Sequence, residues 1–258
     1  MKSLYNGLIL ACAALLASAG QAAAAAAIDQ FRSGHFAEAA TLGRTEATPA
    51  SLILAGRSEL TMACFETSDA SHALSLVDAA DHDFDAALAK APGNNEALLQ
   101  KATAIGYRAK LTKSGGQAKE ARRRFEAAVA REPNNALAWA SIAGWHAASV
   151  ATLGRFIAGT VLGAKLDIAM KDFDTALAKD PRNPLNRVFF AFTLLDLDTV
   201  NAPRAAALLR EADRLPPRDA IEALTKRGVT EVLPLLDRGD AKGAREVARR
   251  LLPFGKLA

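Results

Sequence analysis

One short pattern, repeated three times, constrains this chain more than any other feature. It spans Asp83 to Pro92, Arg124 to Pro133 and Asp172 to Pro181, and in each copy an aromatic residue (Phe84, Phe125, Phe173) precedes a proline by eight positions. Alanines stand four before the aromatic (Ala80, Ala121, Ala169) and three after it (Ala87, Ala128, Ala176). These offsets place the three apolar residues on one face of a helix and let a neighbouring helix come close to the alanines. The proline then ends the helix, because it lacks an amide hydrogen and pushes its predecessor out of helical geometry. A fourth, degenerate copy keeps the register with Ala205, Leu209, Ala212 and Pro217. Recurrent helices of one design predict an all-α solenoid of antiparallel helix hairpins.

Composition supports helices over sheets, since half the residues are hydrophobic and only 6% are aromatic, with alanine dominating the apolar set. The aromatic anchors are 41, 48 and 36 residues apart. A basic helix hairpin takes about 34 residues, so the middle hairpins, near 111–118 and 150–168, are expected to be lengthened. The longest insertion holds Phe156 to Ala164, with Gly159 and Gly163 four apart. Arg155 and Lys165 leave nine apolar residues between them, which suits close packing or a hairpin turn rather than a membrane helix.

The first residues read as an address rather than as fold. Lys2, the apolar run Leu4 to Leu16 and the small residues Ala17-Ser18-Ala19 form a secretory signal pattern, followed by an alanine run to Ala27. Residues 1–27 are therefore expected to be a signal peptide and cleavage region, and 28–258 one helical repeat domain, strongest over 76–217. The expected location is the periplasm. A retained membrane anchor and a lipoprotein attached through Cys12 are less favoured, because the run is short for a span and continues apolar after Cys12. Loss of Cys12 leaves Cys64 as the only thiol, with no internal disulfide to form.

Charge is unevenly spread. Ile28 to Leu98 holds 4 basic and 11 acidic residues, and Leu99 to Ala258 holds 27 basic and 17 acidic. An extended rod of repeats would be acidic at one end and basic beyond it, so self-association end to end is conceivable. The densest basic feature is Arg108, Lys110, Lys113, Lys119, Arg122, Arg123 and Arg124, an expected patch for an anionic envelope polymer or membrane headgroups. Few aromatics accompany it and the signal pattern removes the chain from nucleic acid, so no nucleic-acid partner is expected.

The same residues resemble the tetratricopeptide repeat family. The family's second-helix pattern of small residue, aromatic, small residue and proline is met by the three copies above, and its small residue ten after the proline by Ala102, Ala143 and Ala191. Its preferred Trp six after the proline is met once, by Trp139, beside Leu98 and Arg187. The resemblance implies a right-handed superhelix of about five to six helix pairs, with first helices lining a groove that receives peptides. The Asn positions of the family's carboxylate clamp are here Gln100, Ser141 and Phe189, and Thr103, Gly144 and Phe192, so no such clamp is expected. The implied groove is apolar, lined by Tyr107, Ala140, Gly144, Ala147, Val188, Phe192 and Leu195, and suits an amphipathic helix or an extended apolar segment.

Chemistry is not expected. The histidines His35, His72, His82 and His146 lie in different units, and no two His or Cys residues are three or four apart as metal ligands on a helix would be. No phosphate loop or nucleophile motif is present. The sequence thus points to a non-enzymatic envelope scaffold without cofactor or metal, binding an envelope protein through its groove. The basic-surface module is the alternative.

Overall fold

The computed structural model describes residues 26–257, all of whose regular elements are helical. Cys12 and the expected signal segment up to residue 25 lie outside these residues. A first helix, α1, covers 26–33, and Ala27 is already buried against Phe31 and Phe36. There follow α2 (Phe36–Glu46), α3 (Pro49–Phe65), α4 (Ala70–Lys90), α5 (Asn95–Thr112) and α6 (Gly115–Arg131). After them come α7 (Ala136–Ile157), a π-turn (Ala158–Leu162), α8 (Leu166–Lys179) and α9 (Pro184–Leu197). The last three are α10 (Ala202–Asp213), α11 (Ala220–Asp237) and α12 (Ala241–Leu251). Successive helices pack against each other along the chain.

The repeated pattern becomes a repeated turn. Ala91, Glu132 and Asp180 each precede the proline and each donates its amide to the carbonyl of the motif's last alanine, Ala87, Ala128 and Ala176. Their backbone angles nearly coincide, at φ −141, −129 and −134° with ψ 76, 74 and 80°, which is the non-helical geometry a following proline imposes. Two residues beyond the proline, Asn94, Asn135 and Asn183 cap α5, α7 and α9, each side-chain oxygen accepting an amide from the first helical turn. Local chemistry therefore stops one helix and starts the next through the same turn each time.

The motif residues form the core. Ala80, Phe84 and Ala87, then Ala121 and Phe125, then Ala169, Phe173 and Ala176, and finally Ala205, Leu209 and Ala212 are buried, as are the small residues Ala102, Ala143 and Ala191 on the preceding helices. Phe173 stacks on Phe190 with centroids 4.4 Å apart. Phe84 lies on Gly56 so closely that a Cβ at that glycine would fall 2.5 Å from the ring. Gly56 is thus the hole into which the Phe84 ring fits.

Between α5 and α6 the chain breaks at Lys113 and Ser114, and Gly115 and Gly116 open α6 behind the Ser114 cap, where the first turn leaves amides free of intrahelical bonds. The polar face of α12 is tied in part to α9. Arg249 donates to the Asp196 carboxylate at 2.6 Å and Arg245 to the Asp196 carbonyl at 2.7 Å, so α12 lies along α9. Finally, the chain is not a rod with separate acidic and basic ends. Ala220 and Ile221 at the start of α11 pack on the cluster of Phe31 and Phe36, and Phe254, beyond α12, packs with Leu60, Cys64 and Phe84. The ends meet because both carry apolar residues that no intervening repeat covers.

Candidate functional site

The surface formed by α3 and α5 carries the chain's own C-terminal tail. The Phe254 amide donates to the Cys64 carbonyl at 3.1 Å, and the Lys256 ammonium donates to the Phe65 carbonyl at 2.6 Å. Lys110 of α5 donates to the Pro253 carbonyl at 2.9 Å and its ammonium lies 5.6 Å from the Phe254 ring centre. The Phe254 ring meets Tyr107 edge to face, 5.1 Å between centroids, a favoured aromatic geometry. Phe254 adopts φ 64°, a left-handed backbone that an aromatic residue takes only at a cost of about 1–2 kcal/mol. The contacts around its ring and amide offset that strain.

Electrostatics at this place favour neutral groups. Burial pushes the Cys64 thiol up to about 12, and burial together with the neighbouring thiol holds the Tyr107 hydroxyl well above its ordinary value. Desolvation pulls Lys110 down, although the residue as a whole is exposed, and its ammonium is held by the Pro253 carbonyl. Cys64 is accordingly a packed thiol and not a nucleophile.

Of the seven expected groove residues, the structure brings only Tyr107 to this surface. Ala140 and Gly144 of α7 are half-buried, with open space beside Gly144. Ala147, Val188, Phe192 and Leu195 are buried and cannot line a free groove. The reason is the fold-back of the last two helices. Phe192 lies against Gly228 of α11, where a Cβ would fall 2.9 Å from both its ring and Leu251, and all four residues share one core with Val229, Val232, Ala244 and Ala248.

The basic patch is corrected in the same way, because most of its cations already have partners. Arg108 donates to Asp78 at 2.7 Å and to Asp81 at 3.1 Å on α4. Arg123 and Arg124 both pair with Glu120, and Arg122 bonds Glu126 and the carbonyls of Leu162 and Gly163. With Lys110 on the tail, only Lys113 and Lys119 of the seven are without a hydrogen-bonding or ionic partner among the described residues. Three of these pairs lie within α6 itself, and those of Arg108 cross to α4.

His146 is the one histidine with a buried environment, at 2% exposure. Its Nδ1 accepts the amide of Lys165 at 3.2 Å and so ties the start of α8 to α7. Desolvation, with Arg122 nearby, lowers its pKa to about 4, against opposing contributions from Glu126 and Asp167. The folded chain therefore binds fewer protons than the unfolded one between the unfolded value and about pH 4. Stability contributed by neutral His146 is present above pH 6.5 and is lost as pH falls through this window, by about 2 kcal/mol. Urea unfolding at pH 7 and pH 4.5 should show that loss in the wild type and a smaller one in His146→Gln. Equal losses would mean that His146 is not held neutral.

No protein-family model matches this chain, and no curated protein matches it. The tail contact was missed at the level of sequence, although Leu251-Leu252-Pro253-Phe254 offers one signal. An apolar run ending in an aromatic at the close of a helix calls for a surface to cover it.

Proposed function

We propose that the chain is a non-enzymatic tetratricopeptide-like scaffold, exported to the cell envelope, that holds an apolar segment of an envelope protein on the α3–α5 surface. The repeated turns and caps support the right-handed superhelical arrangement of the family, and the amino-terminal pattern supports export. One observation carries the binding role. The tail occupies this surface as a ligand would, giving one aromatic side chain to Tyr107 and Cys64 and one amide to the Cys64 carbonyl. The surface is thus chemically suited to a short turn or helix end bearing an aromatic residue, and the tail acts as the resident that a partner displaces.

The experiment uses Phe254→Ala and a synthetic peptide with the sequence of residues 251–258. The variant should bind the peptide, by titration calorimetry, while the wild type, its surface filled, binds it much more weakly. A folded variant that takes up no peptide would make the tail a structural cap and would leave the proposal without a site.

A further inference from the structure

The end of the α7–α8 hairpin is the apolar feature that the scaffold reading does not use. Among the described residues seven large hydrophobic side chains are exposed, and four of them lie here: Leu153 at 38%, Phe156 at 81%, Ile157 at 50% and Val161 at 50%. They share a turn that is firmly built. Gly154 at φ 76° and Gly163 at φ 69° bend the chain on either side. Ala158 and Leu162 anchor the inner face in the core, while Phe156, Ile157 and Val161 remain outside. The backbone is satisfied internally, with the Gly163 and Ala164 amides donating to Gly159 and Ala158 and Arg122 donating to the Leu162 and Gly163 carbonyls. A Cβ at Gly163 would collide with the Arg122 guanidinium, so the glycine and the arginine fit as a pair.

Two facts say what covers this tip. The first is charge. Arg155 and Lys165 flank the apolar run and are exposed, and Arg122 of α6 bonds to its carbonyls. Residues 113–126 and 150–168 together hold seven basic and three acidic residues, Glu120, Glu126 and Asp167. That excess of four equals the formal net charge of the whole chain. A second copy meeting the first tip to tip would bring like charges together, whereas an anionic surface is complementary. The second fact is depth. Nine residues, all but Thr160 without a polar side chain, lie between Arg155 and Lys165, against roughly 20 needed to span a bilayer. No single described helix is long and apolar enough to cross. α7 with its π-turn and α8 would pass only as a pair bent by 99°, and the body of α7 is occupied by the protein core through Ile142, Ala143, Trp145 and Ala147.

We propose that the α7–α8 tip is a membrane-interface element that seats Phe156, Ile157 and Val161 at the acyl boundary of an anionic bilayer, with Arg155 and Lys165 at the headgroups. An internally hydrogen-bonded turn with an apolar outer face and flanking cations meets the requirements of such a shallow insertion. The element would hold the scaffold at the membrane while the α3–α5 surface faces its partner.

The test places a tryptophan at the tip, Phe156→Trp, in the full chain, and follows the added fluorescence over wild type. Position 156 is solvent-facing, so the fold should be unchanged by circular dichroism. Vesicles containing phosphatidylglycerol should shift the emission to the blue and allow quenching by bromines on the acyl chains. Phosphatidylcholine vesicles should do so far less. Arg155→Gln with Lys165→Gln should raise the lipid concentration for half-maximal shift at least about tenfold. Because the readout is local to residue 156, attachment through any other part of the chain leaves it unmoved. Unchanged emission on adding phosphatidylglycerol vesicles overturns the proposal, as does a concentration-dependent blue shift without lipid, which would assign the tip to a second copy.

Discussion

Phe84→Ala is expected to destabilise the protein by about 3–5 kcal/mol. The side chain is fully buried, and its ring fills the hollow left by Gly56 on α3, so deletion removes the transfer energy of the ring and leaves a cavity between α3 and α4. Neighbours are poorly placed to close it. Ala80 and Ala87 are too short to reach in, and a helix shift would break the close approach at Gly56. Urea unfolding followed by circular dichroism should show a lower midpoint with little change in slope. The reverse change, Gly56→Val, should be comparably damaging because its side chain would occupy the volume of the ring. If Phe84→Ala unfolded like the wild type, the repeated aromatic would not be the anchor of its unit.

This anchor was legible in the sequence, and so were the turns. Phe84, Phe125 and Phe173, the small residues around them and the prolines act within one or two helical turns, where spacing along the chain equals spacing in the fold. The candidate site was mostly not legible. Val188 and Phe192 occupy positions that face a groove in a repeat stack, and they became core because α11 and α12 fold back over α9. The cations at Arg108 and Lys110 looked available because their partners, Asp78 at 30 residues and Pro253 at 143, are remote in sequence. Phe156 and Leu162 are both apolar members of one run, yet one is exposed and the other buried. Periodicity cannot separate them across a π-turn that does not keep the helical repeat.

Arg44→Ala is the second large effect expected, a loss of about 2–3 kcal/mol. Arg44 of α2 donates to both oxygens of Asp83 on α4, at 3.0 and 2.8 Å, and to Glu59 on α3 at 2.7 Å, so one guanidinium ties three helices. Both carboxylates are nearly buried, while the arginine is partly open to solvent, which places the loss below that of a fully buried pair. Asp83 chiefly raises the basicity of Arg44; in turn burial pushes the Asp83 carboxyl up and Arg44 draws it back. Without the arginine, Glu59 and Asp83 are left unpaired, and the Asp83 carboxyl, already pushed up by burial, rises further. The folded variant then binds more protons than the unfolded chain, so its deficit should shrink as pH falls from 7 towards 5. Thermal unfolding of wild type and variant at the two pH values checks this. A deficit independent of pH would indicate lost packing of the arginine stem in place of lost charge pairing.

The most direct test of the account is amide hydrogen exchange at Phe254, followed residue by residue by nuclear magnetic resonance. Four residues from the end of the chain, a free tail would exchange at the rate of an unstructured peptide. The account predicts a Phe254 amide slowed by at least about a hundredfold through its bond to the Cys64 carbonyl, and release of that protection when an excess of a peptide spanning residues 251–258 competes for the surface. Exchange at the unstructured rate in the wild type would contradict it, because the α3–α5 surface would then have no resident and the tail no part in the fold.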